Sequence, residues 1–258
     1  MEVCNKKIIK VMIPCYNVEK YISRCIDSVL NQNYDLSCIK IVCINDGSTD
    51  NTLQILKEYK ARLGKAFELH TQKNKGIWTT RRSLLLDNKN CDYLVCLDSD
   101  DTWEPNFLKH CSKYFSKNPD VIYNKKFREQ LKNNSWKISW HFKVITKKSY
   151  ITHSSGTMWT HMWSSSFLSK FAKLIPEFSG KIRSDDNIMC LVLNSFVKKI
   201  VINRHCDYNY FYYENSLMRT YTLNCFREEK NMLQKIAKII PMNNKSVLKR
   251  YNHILKNC

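Results

Sequence analysis

Within its first hundred residues the chain alternates short apolar runs, each followed by a polar turn, with stretches whose apolar residues fall at helical spacing. The runs are Ile8–Ile13, Ile39–Ile44, Phe67–His70 and Tyr93–Leu97. Between the first two, Val18, Tyr21, Ile22, Cys25, Ile26, Val29 and Leu30 share one face at a 3.6-residue period, with Asn17 placed to cap that helix. Leu53, Leu56 and Tyr59 mark the inner side of a second helix, and a third is predicted near 77–88. Such strand–helix alternation demands a parallel, twisted sheet with helices on both faces. Ligands of these sheets bind beyond the carboxyl ends of the strands. Tyr16 follows the first run, Asp46 the second, Lys75 and Arg81 the third, and Asp98-Ser99-Asp100-Asp101 the fourth. The chemistry-bearing residues therefore gather at one sheet edge.

The pattern changes after about residue 106. Phe107–Phe115 reads as a helix, and 120–150 is basic, aromatic and weakly periodic. The segment 154–173 carries Trp159, His161, Met162 and Trp163, 186–198 reads as a helix, and 199–213 as a strand followed by an aromatic segment. From Asn224 the chain is basic and amphipathic, with Met232, Leu233, Ile236, Ile239 and Ile240 before a break at Pro241. At about 150 residues per domain, 258 residues make one large domain or two small ones.

Composition excludes several classes. The five glycines lie more than ten residues apart, so neither GxGxxG nor GxxxxGK[ST] is present, and any nucleotide is held another way. No run approaches the roughly 18 apolar residues that span a bilayer, and the first is too short for a signal-peptide core, so the expectation is a cytoplasmic protein. The 12 cysteines form no Cys-x-x-Cys and several sit inside apolar runs, which predicts reduced thiols. A net charge of +19 suits a polyanionic partner or plain solubility: nucleic acid, an anionic membrane face or a phosphorylated substrate.

Asp98-Ser99-Asp100 at a strand end is the central signal. Carboxylates this close repel unless a cation is shared between them. A hard divalent ion held by one or two carboxylates and substrate phosphates is the usual magnesium or manganese arrangement. The competing reading is that Asp100 or Asp101 caps the helix after Trp103.

Pro14-Cys15-Tyr16-Asn17, Asn45-Asp46-Gly47-Ser48-Thr49-Asp50, Asn74-Lys75-Gly76 with Arg81, and Leu97-Asp98-Ser99-Asp100-Asp101 resemble family 2 glycosyltransferases in order and spacing. The likeness is close over 8–105 and continues weakly to about 220 through Ser184-Asp185-Asp186 and Asn215-Ser216. It implies an α/β, GT-A-like single domain with a mostly parallel central sheet: a nucleotide-sugar (donor) half over 1–105, an acceptor half over 106–223, and a helical tail over 224–258. It further implies inverting transfer of a sugar from a nucleoside-diphosphate donor, a UDP-sugar, to a hydroxyl of a glycan, lipid-linked or protein-linked acceptor, with Mn2+ or Mg2+ as cofactor.

Carried over by position, the resemblance implies that Pro14 and Tyr16 pack around the base and Asp46 accepts its imide N–H. Lys75, Ser99 and Arg81 would belong to the donor site, with Arg81 facing the diphosphate. Asp98 would touch ribose or metal, and Asp100 would coordinate the metal. Asp186, with Asp185 beside it, would be the base that deprotonates the acceptor; an N-cap role for this pair stays open, as does a capping role for Asp46. Trp159, His161, Met162 and Trp163 fall where the acceptor wall is expected, with core packing as the alternative. Two departures stand out: Thr80-Arg81-Arg82 replaces an Ala-Arg-Asn segment, and the stretch before Asn215 lacks a histidine found in many relatives, a role left to His205 or His153. The tail would lie on an anionic membrane or pack on the domain.

Two other classes fit less well. A nucleotidyltransferase making nucleotide sugars calls for a glycine-rich basic loop after the first strand, which Pro14–Asn17 does not supply. A basic nucleic-acid-binding module leaves the acidic cluster unexplained, because carboxylates repel phosphates, so no nucleic-acid partner is expected.

Overall fold

The computed structural model describes residues 6–140, 146–153, 156–178, 180, 182, 184–213 and 223–256. The four apolar runs are four strands, β1 (Ile9–Cys15), β2 (Ile39–Asn45), β3 (Phe67–Thr71) and β4 (Tyr93–Cys96). They alternate with α1 (Ile22–Leu30), α2 (Thr52–Leu63) and α3 (Ile77–Leu86). β1 pairs in parallel with both β2 and β4, and β2 with β3, so all four carboxyl ends meet at one edge as expected.

Alternate residues of β1 divide the core. Ile9, Val11 and Ile13 face a cluster that includes Ile22, Ile26 and Leu56 of α1 and α2. Met12 faces the opposite cluster with Trp78 and Leu85 of α3. This is the period-2 geometry of a strand buried on both sides. Lys10, which interrupts the run, is 3% exposed and places its ammonium 2.8 Å from both the carboxylate and the carbonyl of Asp87.

Beyond β4 the chain adds β5 (Thr102–Trp103), α4 (Phe107–Ser112), β6 (Val121–Gln130), β7 (Trp136–Trp140), α5 (Lys147–His153), β8 (His161–Ser164), α6 (Ser165–Phe171), α7 (Asp185–Asn194) and β9 (Ile200–Tyr210). The sheet order is β3-β2-β1-β4-β8-β6-β9-β5, with β7 hydrogen-bonded to β6. β8 runs antiparallel to both β4 and β6, whereas β9 runs parallel to β6. The fold is thus α/β around a mixed, mostly parallel sheet.

The hairpin β6–β7 is the element that periodicity did not disclose. The first four residues of β6 are buried on both faces and the remainder is half-exposed, so no single alternation runs through it. β7 is mostly exposed. The placement of β8 corrects a second expectation. His161, Met162 and Trp163 are fully buried, because β8 lies between two strands and both of its faces are covered, and Trp159 just before it is 4% exposed, packed against Phe127 and Tyr208. They pack the core instead of forming an acceptor wall.

The tail folds as α8 (Leu223–Ala237) and α9 (Lys245–Leu255). Met232, Leu233, Ile236, Ile240, Val247 and Ile254 are buried in the same cluster as α3 and α7. Its apolar stripe is therefore covered by the domain and is not free to lie on a bilayer. Among the described residues no helix is long and apolar enough to cross a membrane. Nine described cysteines are free, in keeping with the expectation of reduced thiols, whereas Cys38 is disulfide-bonded and departs from it.

Candidate active site

The loops after β1 and β2 are laced together. Asn17 does not cap α1, which begins at Ile22 without a side-chain cap. It instead adopts a left-handed φ of 52° and accepts the Thr49 amide at 2.8 Å, while its own N–H donates to Ser48 Oγ at 3.0 Å. The Val18 amide donates to Thr52 Oγ1, the Glu19 amide to Asp50, and the Asn51 amide to Glu19. α2 takes its start from Asp50, which accepts the Thr52 amide at 3.0 Å. Asp46 plays no part in capping that helix. These bonds fix a rim on which Tyr16 stands 41% exposed beside the buried Pro14.

Asp46 is 4% exposed and closes the rim from the next loop. Its Oδ1 accepts from Gln72 Nε2 at 2.7 Å and from the Lys75 amide at 2.9 Å, and its Oδ2 accepts from the Gly76 amide at 2.9 Å. The carboxylate thereby holds the start of α3, leaving the Lys75 side chain exposed. Gly47 next to it has φ of 73°, and a Cβ there would come within 2.7 Å of the Asn74 nitrogen, so the motif needs glycine.

From that start α3 carries Arg81 into a cluster of three carboxylates. Its Nη2 donates to Asp98 Oδ1 at 2.9 Å, and its Nη1 donates to Asp185 Oδ2 at 2.5 Å and contacts Asp186 Oδ1. The four side chains are between 10% and 20% exposed. Asp98 lies two residues beyond the end of β4, whereas Asp185 and Asp186 open α7, where negative charge complements the helix dipole. Neither serves as an N-cap, a position taken by Ser184 without a side-chain bond. Asp186 Oδ2 also accepts the Met158 amide at 3.3 Å. Gly156 permits that approach, since a Cβ there would collide with Asn187.

Asp100 and Asp101 diverge. Asp101 is 1% exposed and accepts the Tyr208 hydroxyl at 2.7 Å and the Phe211 amide at 2.9 Å, tying the acidic turn to β9. It does not cap α4, whose N-cap is Asn106. Ser99, between Asp98 and Asp100, is buried. Asp100 is held through its carbonyl, which accepts from Arg24 Nη2 at 2.7 Å and from the Tyr213 hydroxyl at 3.1 Å. Arg24 also contacts the Tyr213 hydroxyl and lies 3.9 Å from the centre of the Phe211 ring. Sequence reasoning missed Arg24, Gln72 and Tyr208. Arg24 reads as one more polar position on an amphipathic helix, and the other two sit where no motif draws attention.

Electrostatics at this edge favour a cation. Five carboxylates, Asp98, Asp100, Asp101, Asp185 and Asp186, face two guanidiniums, Arg24 and Arg81. Burial, then the neighbouring Asp98, pushes the Asp100 carboxyl up to about 6 despite Arg24 and Arg81. Burial likewise raises Asp186 well above the ordinary carboxylate range, with Arg81 opposing and Asp185 and Asp98 reinforcing the rise. A donor set of hard carboxylate oxygens with surplus negative charge fits Mg2+ or Mn2+. His205, considered as a further ligand, lies instead against His110 and Asp207. Asn215-Ser216 falls outside the described residues.

The sequence profile described as Glycosyl transferase family 2 matches residues 10–176. Chondroitin synthase of Escherichia coli is 37% identical over 110 residues, covering 43% of this chain but 16% of that protein. The chain thus spans only a small part of that relative. The putative glycosyltransferase EpsH of Bacillus subtilis is 22% identical over 245 residues, covering 92% of this chain and 70% of its own length. Among solved structures, S. aureus TarS 1-349 in complex with UDP-GlcNAc superposes with a TM-score of 0.75 at 18% identity, covering 97% of this chain and 71% of that one. The mannosyltransferase PcManGT from Pyrobaculum calidifontis, in complex with GDP-Man and Mn2+, gives 0.60 at 14% identity, covering 97% and 70%. These superpositions establish the GT-A-like fold. With four motifs ordered along one sheet edge, and a family match over more than half of its length, the chain belongs to glycosyl transferase family 2.

Proposed function

We propose that the protein is an inverting, Mn2+- or Mg2+-dependent glycosyltransferase that moves a sugar from a UDP-sugar to a hydroxyl of a glycan, lipid-linked or protein-linked acceptor. The observation that carries the reading is the surplus of carboxylates at the sheet edge, directly beside the Asp46 rim. UDP as donor nucleotide draws support from the TarS complexes with UDP-GlcNAc and UDP, and the metal from PcManGT and GalNAc-T7 with Mn2+.

In this reading Pro14 and the exposed Tyr16 flank the base, and Asp46 accepts its imide N–H with the acceptor capacity that its three bonds leave free. Asp98 and Asp100 would hold the divalent ion, which when bound supplies charge neutralisation for the diphosphate leaving group. Ser99 and Lys75 line the donor side, and Arg81 adds fixed positive charge where the leaving group develops negative charge. Asp186 takes the proton from the acceptor hydroxyl as that oxygen attacks the anomeric carbon opposite the leaving group. Asp186 is the more open of the pair, with 17% of its side chain exposed against 10% for Asp185, which suits it to meet an acceptor. Asp185 orients the pair through Arg81. The donor half is 1–105, the acceptor half 106–223.

The test is a panel of nucleotide sugars screened for metal-dependent hydrolysis, followed by calorimetry of the matching nucleoside diphosphate. Binding that needs Mn2+ or Mg2+ and fails in EDTA is expected. Unchanged affinity in EDTA would remove the metal from the assignment.

A further inference from the structure

A second group of ligating side chains lies on the other side of the acidic turn's anchor. His110 on α4 and His205 and Asp207 on β9 bring one ligand atom each to within 4.8 Å of the other two. His110 Nδ1 is 2.7 Å from Asp207 Oδ2. The two imidazole rings stack with centroids 3.6 Å apart and planes 12° from parallel. Asp207 is buried, His110 half-buried and His205 exposed.

The backbone is shaped for this grouping. The β6–β9 ladder shifts register twice, leaving an extra residue on β9 between Asn203 and Cys206 and another between Cys206 and Asn209. His205 and Asp207 lie inside those two intervals. Bulges of this kind re-aim side chains. Here the Asp207 carboxylate reaches α4, while the neighbouring Tyr208 hydroxyl reaches Asp101.

We propose that His110, His205 and Asp207 form a zinc site that staples α4 to β9. Two imidazoles and a carboxylate are a common three-ligand zinc set, and the exposed side at His205 leaves the fourth position to water. Ligands held 2.0–2.1 Å from a tetrahedral zinc lie about 3.4 Å apart, so atoms within 4.8 Å must draw closer, and the exposed His205 ring must turn out of its stack on His110 for both ring planes to contain the ion. The ion would replace the proton shared between His110 and Asp207.

The surroundings choose the metal. Lys113 and Lys126 bear positive charge on His205. That repels any dication, and Mg2+, Ca2+ and Mn2+, which prefer all-oxygen donors, gain little from the imidazoles to offset it. Imidazole nitrogen favours zinc, with nickel and copper close behind. The site is thus distinct in chemistry from the oxygen cluster at Asp98 and Asp100, and the proposal does not rest on glycosyl transfer. Its mechanical effect follows from position. The ion would steady β9, the strand whose Tyr208 anchors Asp101 beside the donor cluster.

The experiment uses the full chain stripped with a chelator and titrated with ZnCl2, without nucleotide. One zinc per chain is expected, with a rise in melting temperature at saturation. Co2+ should give the visible absorption of a tetrahedral nitrogen–oxygen site, and equimolar Mn2+ should not displace it. His205→Ala should weaken zinc by well over the roughly 10-fold that even a lost outer-shell partner costs. Because His205 is exposed, the metal-free variant should melt within a degree or two of the metal-free wild type. Asp207→Asn, which keeps shape and removes charge, serves as the second variant. The proposal is overturned by absence of stoichiometric zinc binding. It is equally overturned if both variants bind zinc like wild type, since the ion would then sit on a cysteine or on the Asp98–Asp100 pair.

Discussion

Arg81→Ala tests how the two halves of the site are held together. The guanidinium is the shared partner of Asp98, Asp185 and Asp186, all between 10% and 20% exposed. Removing one member of a buried ion pair costs about 3–5 kcal/mol, because the charge left behind is neither hydrated nor paired. A chain of 258 residues loses about 2 °C of melting temperature per kcal/mol, so the variant should melt roughly 6–10 °C lower at pH 7.5. The sign of the pH dependence follows from the carboxyls. Burial raises Asp185 and Asp186 above their unfolded values, and Arg81 is the main group lowering them. Without it the folded state binds more protons than the unfolded one, so its penalty is full at neutral pH and shrinks as pH falls toward 5. Mn2+, by replacing the lost positive charge near Asp98, should restore part of the melting temperature. The measurement is a set of thermal melts at pH 7.5 and 5.5, with EDTA or Mn2+. A variant that melts within 2 °C of wild type at pH 7.5, with a difference independent of pH, would refute the reasoning: the three carboxylates would then have another source of compensation.

Other substitutions separate the remaining roles. Asp46→Ala removes the acceptor of three half-buried hydrogen bonds and should lower stability by about 3 kcal/mol, read as a melt about 6 °C lower. It should also weaken UDP about 5- to 150-fold; lost nucleotide binding at an unchanged melting temperature would mean that the loop does not depend on Asp46. Asp186→Asn should cut transfer about 10²–10⁴-fold at matched donor occupancy, with donor affinity retained, whereas Asp185→Asn should transfer measurably. The reverse pattern in single-turnover assays would exchange the two assignments. Asp100→Ala should abolish the Mn2+ dependence of UDP binding in calorimetry while leaving the melt in EDTA no lower than wild type, since its burial beside Asp98 is itself unfavourable.

The first hundred residues were legible because their signals are local. β1, β2 and β4 are buried on both faces and read as apolar runs, each helix shows its own period, and a parallel sheet must bring the residues after Cys15, Asn45, Thr71 and Cys96 to one edge. The sequence alone thus determined the α/β class, the edge where the chemistry gathers and the acidic residues that gather there. What it left open depended on partners far along the chain. Nothing local tells that Arg81 meets Asp185 104 residues later, or that Asp101 is anchored by Tyr208. Asn17 has the composition of a cap, yet it serves the neighbouring loop, because α1 starts only at Ile22. Trp159 and Trp163 read equally as cleft or core until β8 took its place between β4 and β6. Hydrophobic period records only how often a segment meets the core, and it is silent on which distant segment it meets. Only the tertiary structure decided those pairings, and with them which charges at the sheet edge are balanced by Arg81 and Arg24.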